Sequence, residues 1–164
     1  MHFLRKAGIR SGQHIVVYGA SGAVGTSAVQ LARHFGASVT GVCGPTNLDL
    51  VRALGAEVVI NYTSVDFTLG DERYDIVFDA VGRRKSAKAL AQARRVLSAT
   101  GQTISVDDGS PKLLTSDLVL LRDLAEAGEI KPVIDRIYPL EQIVEAHRYV
   151  DAGHKQGNVI ITVD

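Results

Sequence analysis

Gly19, Gly22 and Gly25 stand three residues apart in the run Val17-Tyr18-Gly19-Ala20-Ser21-Gly22-Ala23-Val24-Gly25. A short β-branched run, His14–Tyr18, precedes them. Ala28, Leu31, Ala32 and Phe35 follow at helical spacing, and Gly36 is a stop signal. A strand that turns through glycines into a helix suits the binding of a pyrophosphate. One glycine permits the sharp turn, Gly22 leaves room for the phosphates, and Gly25 lets the helix pack close to the sheet. The helix start then offers unpaired N–H groups and the positive end of its dipole, and the Ser21 hydroxyl adds a donor. No Gly-Lys-Ser/Thr follows, which excludes the phosphate loop of nucleotide hydrolases.

The end of the next strand decides which dinucleotide fits. A site for NAD(H) places Asp or Glu there, about 20 residues past the glycines, to accept from the ribose 2′-hydroxyl. Here the strand ends Gly41-Val42-Cys43-Gly44-Pro45-Thr46-Asn47, and the first acid is Asp49. The missing carboxylate permits a 2′-phosphate, to which Thr46 and Asn47 can donate, so the expected cofactor is NADP(H). No Arg or Lys stands at this strand end. Arg83, Arg84 and Lys85 follow a later strand and are a second source of charge, although such a run is more often a solvated face.

The elements expected around this turn alternate strand and helix, the pattern of an α/β Rossmann fold with a doubly wound, mainly parallel sheet and helices on both faces. Strands are expected at His14–Tyr18, Ser38–Val42, Glu57–Ile60, Tyr74–Val81, Gln102–Val106 and Asn158–Val163, with Pro132–Ile137 extended. Helices are expected after Gly25, from a Thr46 or Asn47 cap to Leu54, from a Ser86 cap through Leu97 with Gly101 as its stop, from about Asp117 to Ala127, and over Leu140–Val150. Phe3–Gly8 reads as the end of a helix. The strand order matches two mononucleotide-binding halves.

The 164 residues are 46% hydrophobic and 22% charged, with 18 basic and 18 acidic residues, which suits one globular domain over 1–164. The balanced charge points to neither nucleic acid nor an anionic membrane, and the longest apolar runs are too short to span a bilayer. The single cysteine, Cys43, excludes an intrachain disulfide and a multi-cysteine zinc site and fits a cytoplasmic location. His14, His34, His147 and His154 show no metal-ligand spacing, so no metal is expected. Asp107-Asp108-Gly109 reads as a turn rather than a carboxylate pair. Asp79 either touches a ribose or satisfies nearby backbone groups. No tyrosine is followed four residues later by lysine, which argues against a short-chain dehydrogenase. No catalytic residue emerges.

Four stretches, VVYGASGAVGTSAVQLARHFGA (Val16–Ala37), ALGAEVVINY (Ala53–Tyr62), YDIVFDAVG (Tyr74–Gly82) and Ala127–Val163, resemble the zinc-independent, quinone oxidoreductase-like branch of the medium-chain dehydrogenase/reductases. The resemblance implies the cofactor-binding domain of an NADPH-dependent reductase of quinones, enones or related carbonyl compounds, with an N-terminal GroES-like domain absent from this chain. It places Ser21, Gly22, Ala23 and Val24 at the pyrophosphate and Thr46, Asn47 and Tyr62 at the 2′-phosphate. Ala80, Val81 and Gly82 would line the adenine and ribose, while Ser105 and Val106 would approach the nicotinamide. The family often has a lysine near Asn47, and it inserts a sixth strand where Asp107–Thr115 is too short to hold one. That region commonly carries a homodimer contact. The partner of the terminal strand is left open. A stand-alone NADPH-binding module without catalysis is the alternative.

Overall fold

A computed structural model describes residues 1–153 and 155–163, so His154 lies outside it. A short helix, α1 (His2–Lys6), leads into β1 (His14–Tyr18), α2 (Ala23–His34), β2 (Ser38–Cys43), α3 (Leu48–Ala53) and β3 (Val58–Asn61). Then come β4 (Tyr74–Asp79), α4 (Arg83–Ala93), β5 (Leu97–Ser105), α5 (Thr115–Glu126), β6 (Ile134–Pro139), α6 (Ile143–Asp151) and β7 (Asn158–Thr162). Five strands form one parallel sheet in the order β3-β2-β1-β4-β5. The order reverses between β1 and β4, the switch point where a doubly wound sheet opens a crevice at its carboxyl edge.

Both faces of this sheet are covered. Successive strand residues point to opposite faces, and the burial follows that rule. Ile15 and Val17 pack with Val29 and Leu31 of α2 and Val51 of α3, whereas Val16 packs with Tyr74, Val77, Ala93 and Val96 on the α4 side. Gly41 sits in β2 where α3 crosses, and a Cβ there would fall 2.4 Å from Val51 Cγ1. At the amino edge, Asp75 accepts from the His14 N–H at 2.9 Å and the Ser98 hydroxyl at 2.7 Å, joining β1, β4 and β5.

Four expectations are corrected. The fourth helix runs from Arg83 to Ala93 rather than from Ser86 to Leu97. Its first N–H, of Arg83, donates to Asp107 Oδ2 at 2.7 Å, so a distant carboxylate sets its start, and the Ser86 hydroxyl instead donates to Gly82 O within the first turn. Gly101 is not a helix stop. It lies inside β5, where the register shifts, and a Cβ on it would meet Tyr74 O at 2.6 Å, the close backbone approach that a strand irregularity demands. The fifth strand starts at Leu97 rather than Gln102, and no sixth strand follows it in the main sheet, as the short Asp107–Thr115 segment requires. Finally, Asn47 precedes α3 without capping it. Its Nδ2 donates to Ser21 Oγ at 3.2 Å, and a 3₁₀ turn over Pro45–Asn47 starts the helix.

The terminal strand β7 pairs in parallel with β6, forming a two-stranded ribbon apart from the main sheet. The Gly157 N–H ties that ribbon to the glycine turn by donating to Ser21 O at 2.8 Å. Tyr149 of α6 donates to Asp135 Oδ2 at 2.6 Å, and the Arg136 guanidinium stacks 3.9 Å above the same ring.

Gly41→Ala is expected to lower stability by about 1–3 kcal/mol through overpacking against Val51, read in urea melts. The hydrogen bonds from the His14 N–H and then the Ser98 hydroxyl hold the Asp75 carboxyl below its ordinary value. Their stabilisation is present above the unfolded-state value of about 3.9 and is lost as pH falls through the lower folded-state value. Asp75→Asn is expected to flatten the acid destabilisation between about pH 5 and pH 3 in the same melts.

Candidate dinucleotide site

The carboxyl ends of β1, β2 and β4 border a cleft of about 560 Å³, within the range of sites that enclose a small molecule. Gly19 leaves β1 with φ +87°, a conformation that favours glycine. Gly25 is buried, and a Cβ there would stand 2.1 Å from Gly19 O and 2.8 Å from Ala20 Cα. That contact seats the start of α2 on the end of β1. Gly22 differs from both. Its φ of −78° suits any residue, and a Cβ on it would meet only Gly19 O, at 3.5 Å. Its missing side chain leaves open space in the cleft.

The first hydrogen bond within α2 runs from Thr26 N to Gly22 O at 2.9 Å. The N–H groups of Ala23, Val24 and Gly25 therefore precede the helical ladder and lack acceptors within it. Together with the helix dipole they suit an anion.

At the end of β4 the buried Asp79 carboxylate folds back on its own chain. Oδ1 accepts from Val81 N at 3.1 Å and Gly82 N at 3.2 Å, and Oδ2 accepts from the Ser105 hydroxyl at 2.7 Å. Of the two readings open for Asp79, the structure shows the satisfaction of local backbone. Asp107 and Asp108 are also structural. Asp107 caps α4, while Asp108 accepts from Ser105 N at 2.9 Å and pairs with Arg83.

Eight of the sequence-derived residues border the cleft: Gly19, Ser21, Gly22, Thr46, Asn47, Tyr62, Ala80 and Val81. Ala23, Val24 and Gly25 stand behind the turn in α2, and Gly82 is the buried residue that opens α4. Ser105 is fully buried with its hydroxyl given to Asp79, and Val106 packs against the core. Among the described residues no Asp or Glu borders the cleft. Among the described residues, Asn47 Oδ1 is the buried side-chain oxygen without a hydrogen-bond partner. Such an orphan is destabilising by about 1–3 kcal/mol and marks where a bound hydroxyl or amide would complete the site.

Three features of the cleft were not read as binding residues from the sequence. Tyr18 borders it from the last position of β1. Lys155 enters from the ribbon side, its Nζ donating to Gly157 O at 2.6 Å. Lys85, set aside as part of a solvated basic run, borders the cleft from the first turn of α4. Only the Gly-Arg-Arg-Lys run signalled it. Cys43 is buried beside the cleft with its thiol pushed above the ordinary value by desolvation, so it is a poor nucleophile.

Two models described as zinc-binding dehydrogenase match residues 23–125 and 110–161. The chain belongs to the zinc-binding dehydrogenase family. This agrees with the medium-chain dehydrogenase/reductase resemblance read from the motifs. The chain is 36% identical to a 2-methylene-furan-3-one reductase of Solanum lycopersicum, over 96% of this chain and 42% of the relative. It is 33% identical to a chloroplastic NADPH-dependent alkenal/one oxidoreductase of Arabidopsis thaliana, over 92% and 41%. It thus spans about two-fifths of the length of these two curated relatives. Among solved structures it superposes on the quinone oxidoreductase of Coxiella burnetii with TM-score 0.81 at 24% identity, covering 98% of this chain and 56% of that one. It superposes on an NAD-dependent alcohol dehydrogenase with TM-score 0.83 at 26% identity, covering 99% and 55%. Among the described residues, no three His, Cys, Asp or Glu side chains gather as a metal site, and no helix is long and apolar enough to cross a membrane.

Gly22→Val is expected to remove dinucleotide binding while lowering the unfolding free energy by no more than about 1 kcal/mol, the cost of a poorer N-cap, because the added side chain projects into open space. Gly25→Ala is expected to destabilise the fold itself. Retained binding by the valine variant in calorimetry would move the pyrophosphate elsewhere.

Proposed function

We propose that this chain is the NADP(H)-binding domain, residues 1–164, of a zinc-independent reductase of quinones, enones or related carbonyl compounds. The observation that carries the reading is the cleft at the switch point, which combines an anion-ready helix start with a β2 end free of carboxylate. A carboxylate there would accept from a ribose 2′-hydroxyl and repel a 2′-phosphate. The NADPH-dependent Arabidopsis relative supports the same choice of cofactor.

The bound dinucleotide would supply hydride to a small carbonyl or quinone substrate, and the protein contributes binding and orientation. The N–H groups of Ala23, Val24 and Gly25 hold the pyrophosphate charge, and the Ser21 hydroxyl assists. Gly22 admits the phosphates. Thr46, Asn47 and Tyr62 border the 2′-phosphate position, with Asn47 Oδ1 open to a ribose hydroxyl. Ala80 and Val81 wall the adenosine, and Gly82 lets β4 turn away. Asp79 positions the Ser105 end of β5, on the nicotinamide side with Val106. Substrate enclosure falls to the N-terminal GroES-like domain that the family resemblance implies. In this reading the protein is cytoplasmic, and any homodimer forms away from the family's usual edge, for which Asp107–Thr115 is too short. The cytoplasmic location rests on the single free thiol, against chloroplastic and mitochondrial relatives.

Isothermal titration of the chain with NADPH and NADH tests the proposal. NADPH is expected to bind at least about tenfold more tightly, roughly one added charge-assisted contact. Equal affinities, or tighter NADH, would overturn the choice of cofactor.

A further inference from the structure

The cleft poses an electrostatic problem. A 2′-phosphate brings close to two negative charges, yet Pro45, Thr46 and Asn47, the residues that follow β2, carry no cation. The cations of the neighbouring elements are mostly spent. Arg52 of α3 pairs with Asp49 at 2.9 Å and Arg83 pairs with Asp108, while Lys155 keeps its charge but turns its Nζ onto Gly157 O at 2.6 Å on the ribbon side. Lys85 is different. It has neither an ion pair nor a side-chain hydrogen bond among the described residues, and it borders both the main cleft and an adjoining hollow of about 290 Å³. Tyr18 and Tyr62 are shared by the same two cavities, so Lys85 and the two tyrosines all border both. The Tyr62 ring rests beside Gly44, where a Cβ would come within 3.7 Å of Cε1, and Tyr62 stays 57% exposed.

We infer that Lys85 is the specificity-determining cation of this site, closing on the 2′-phosphate of the adenosine from α4 opposite the Thr46–Asn47 turn. This rests on the NADP(H) reading and deepens it. The position in the first turn of α4 fits the role, because a lysine there has no favourable dipole of its own. Like-charged helix-end surroundings raise its appetite for an anion. Lys88, one turn on, borders only the adjoining hollow, where Asp66 also lies. The Asp66 carboxylate is committed to Thr68, accepting from its hydroxyl at 2.6 Å and its N–H at 2.9 Å. Lys88 adds to the local field without reaching the main cleft. A long, flexible lysine can swing onto a phosphate as a point charge, without the fixed fork that an arginine would require.

The test uses adenosine 2′,5′-bisphosphate and adenosine 5′-monophosphate as probes, titrated calorimetrically into the chain and into Lys85→Gln, Lys85→Arg and Lys88→Gln. The parent is expected to prefer the bisphosphate. Lys85→Gln should weaken bisphosphate binding about tenfold and leave the monophosphate within about twofold. It should also flatten the salt dependence of bisphosphate affinity. Lys85→Arg should retain most of the preference, and Lys88→Gln should change it by less than about threefold. A parent that prefers the bisphosphate and a Lys85→Gln variant that keeps that preference would overturn the assignment of Lys85 alone. A parent with no preference would overturn the NADP(H) reading and this inference with it. Unchanged monophosphate binding by Lys85→Gln shows that the variant is folded.

Discussion

The contact between Gly25 and the turn at Gly19 and Ala20 governs the rest of the molecule. A Cβ at position 25 would lie 2.1 Å from Gly19 O, well inside van der Waals contact. Only a glycine lets the start of α2 rest directly on the end of β1. That seating aims three N–H groups and the dipole into the crevice. It also sets the depth at which α2 buries Ala28, Val29, Leu31 and Ala32 against the sheet. Binding geometry and core packing thus share one close approach. The open space at Gly22 has meaning only because Gly25 has fixed where the helix begins.

A second organising group stands at the other side of the switch point. Asp79 is buried at the end of β4, yet each of its oxygens has a partner. Burying a carboxylate is costly unless it is hydrogen-bonded, and here the bonds close the β4 turn and link it to Ser105 of β5. Asp107 and Asp108 extend the arrangement to the start of α4 through Arg83. These acids shape the wall of the cleft from behind and leave its lining without negative charge. The β6–β7 ribbon closes the third side, since Gly157 bonds to Ser21 in the glycine turn itself. A residue near the carboxyl end of the chain therefore borders the same cleft as a turn near its beginning.

Much of this was legible in the sequence. The strand–glycine–helix unit, the presence of β1 to β4, read to within two residues of their observed ends, and the acid-free end of β2 follow from local pattern. Periodicity, turn chemistry and the absence of one residue type act over a few neighbours, so reading along the chain recovers them. The family motifs added Tyr62, Ala80 and Val81, which the cleft gathers. The sequence was misleading where a distant partner overrides local preference. Gly101 signals a helix stop but serves a strand irregularity against Tyr74 O, and Ser86 looks like a cap until Asp107 arrives from beyond β5.

The sequence by itself determined the fold class, the glycine turn and the lack of a carboxylate at the end of β2, because each is written in contiguous residues. Only the tertiary structure decided the rest. It spent Asn47 on Ser21 rather than on capping α3, and it paired β7 with β6 rather than with the main sheet. From one basic run it sent Arg83 to Asp108 and brought Lys85 to the cleft. The reason is that a charge or a hydrogen-bonding group acts through its neighbours in space. The chain sets those neighbours only once β1, β2, β4 and the ribbon have converged on one edge.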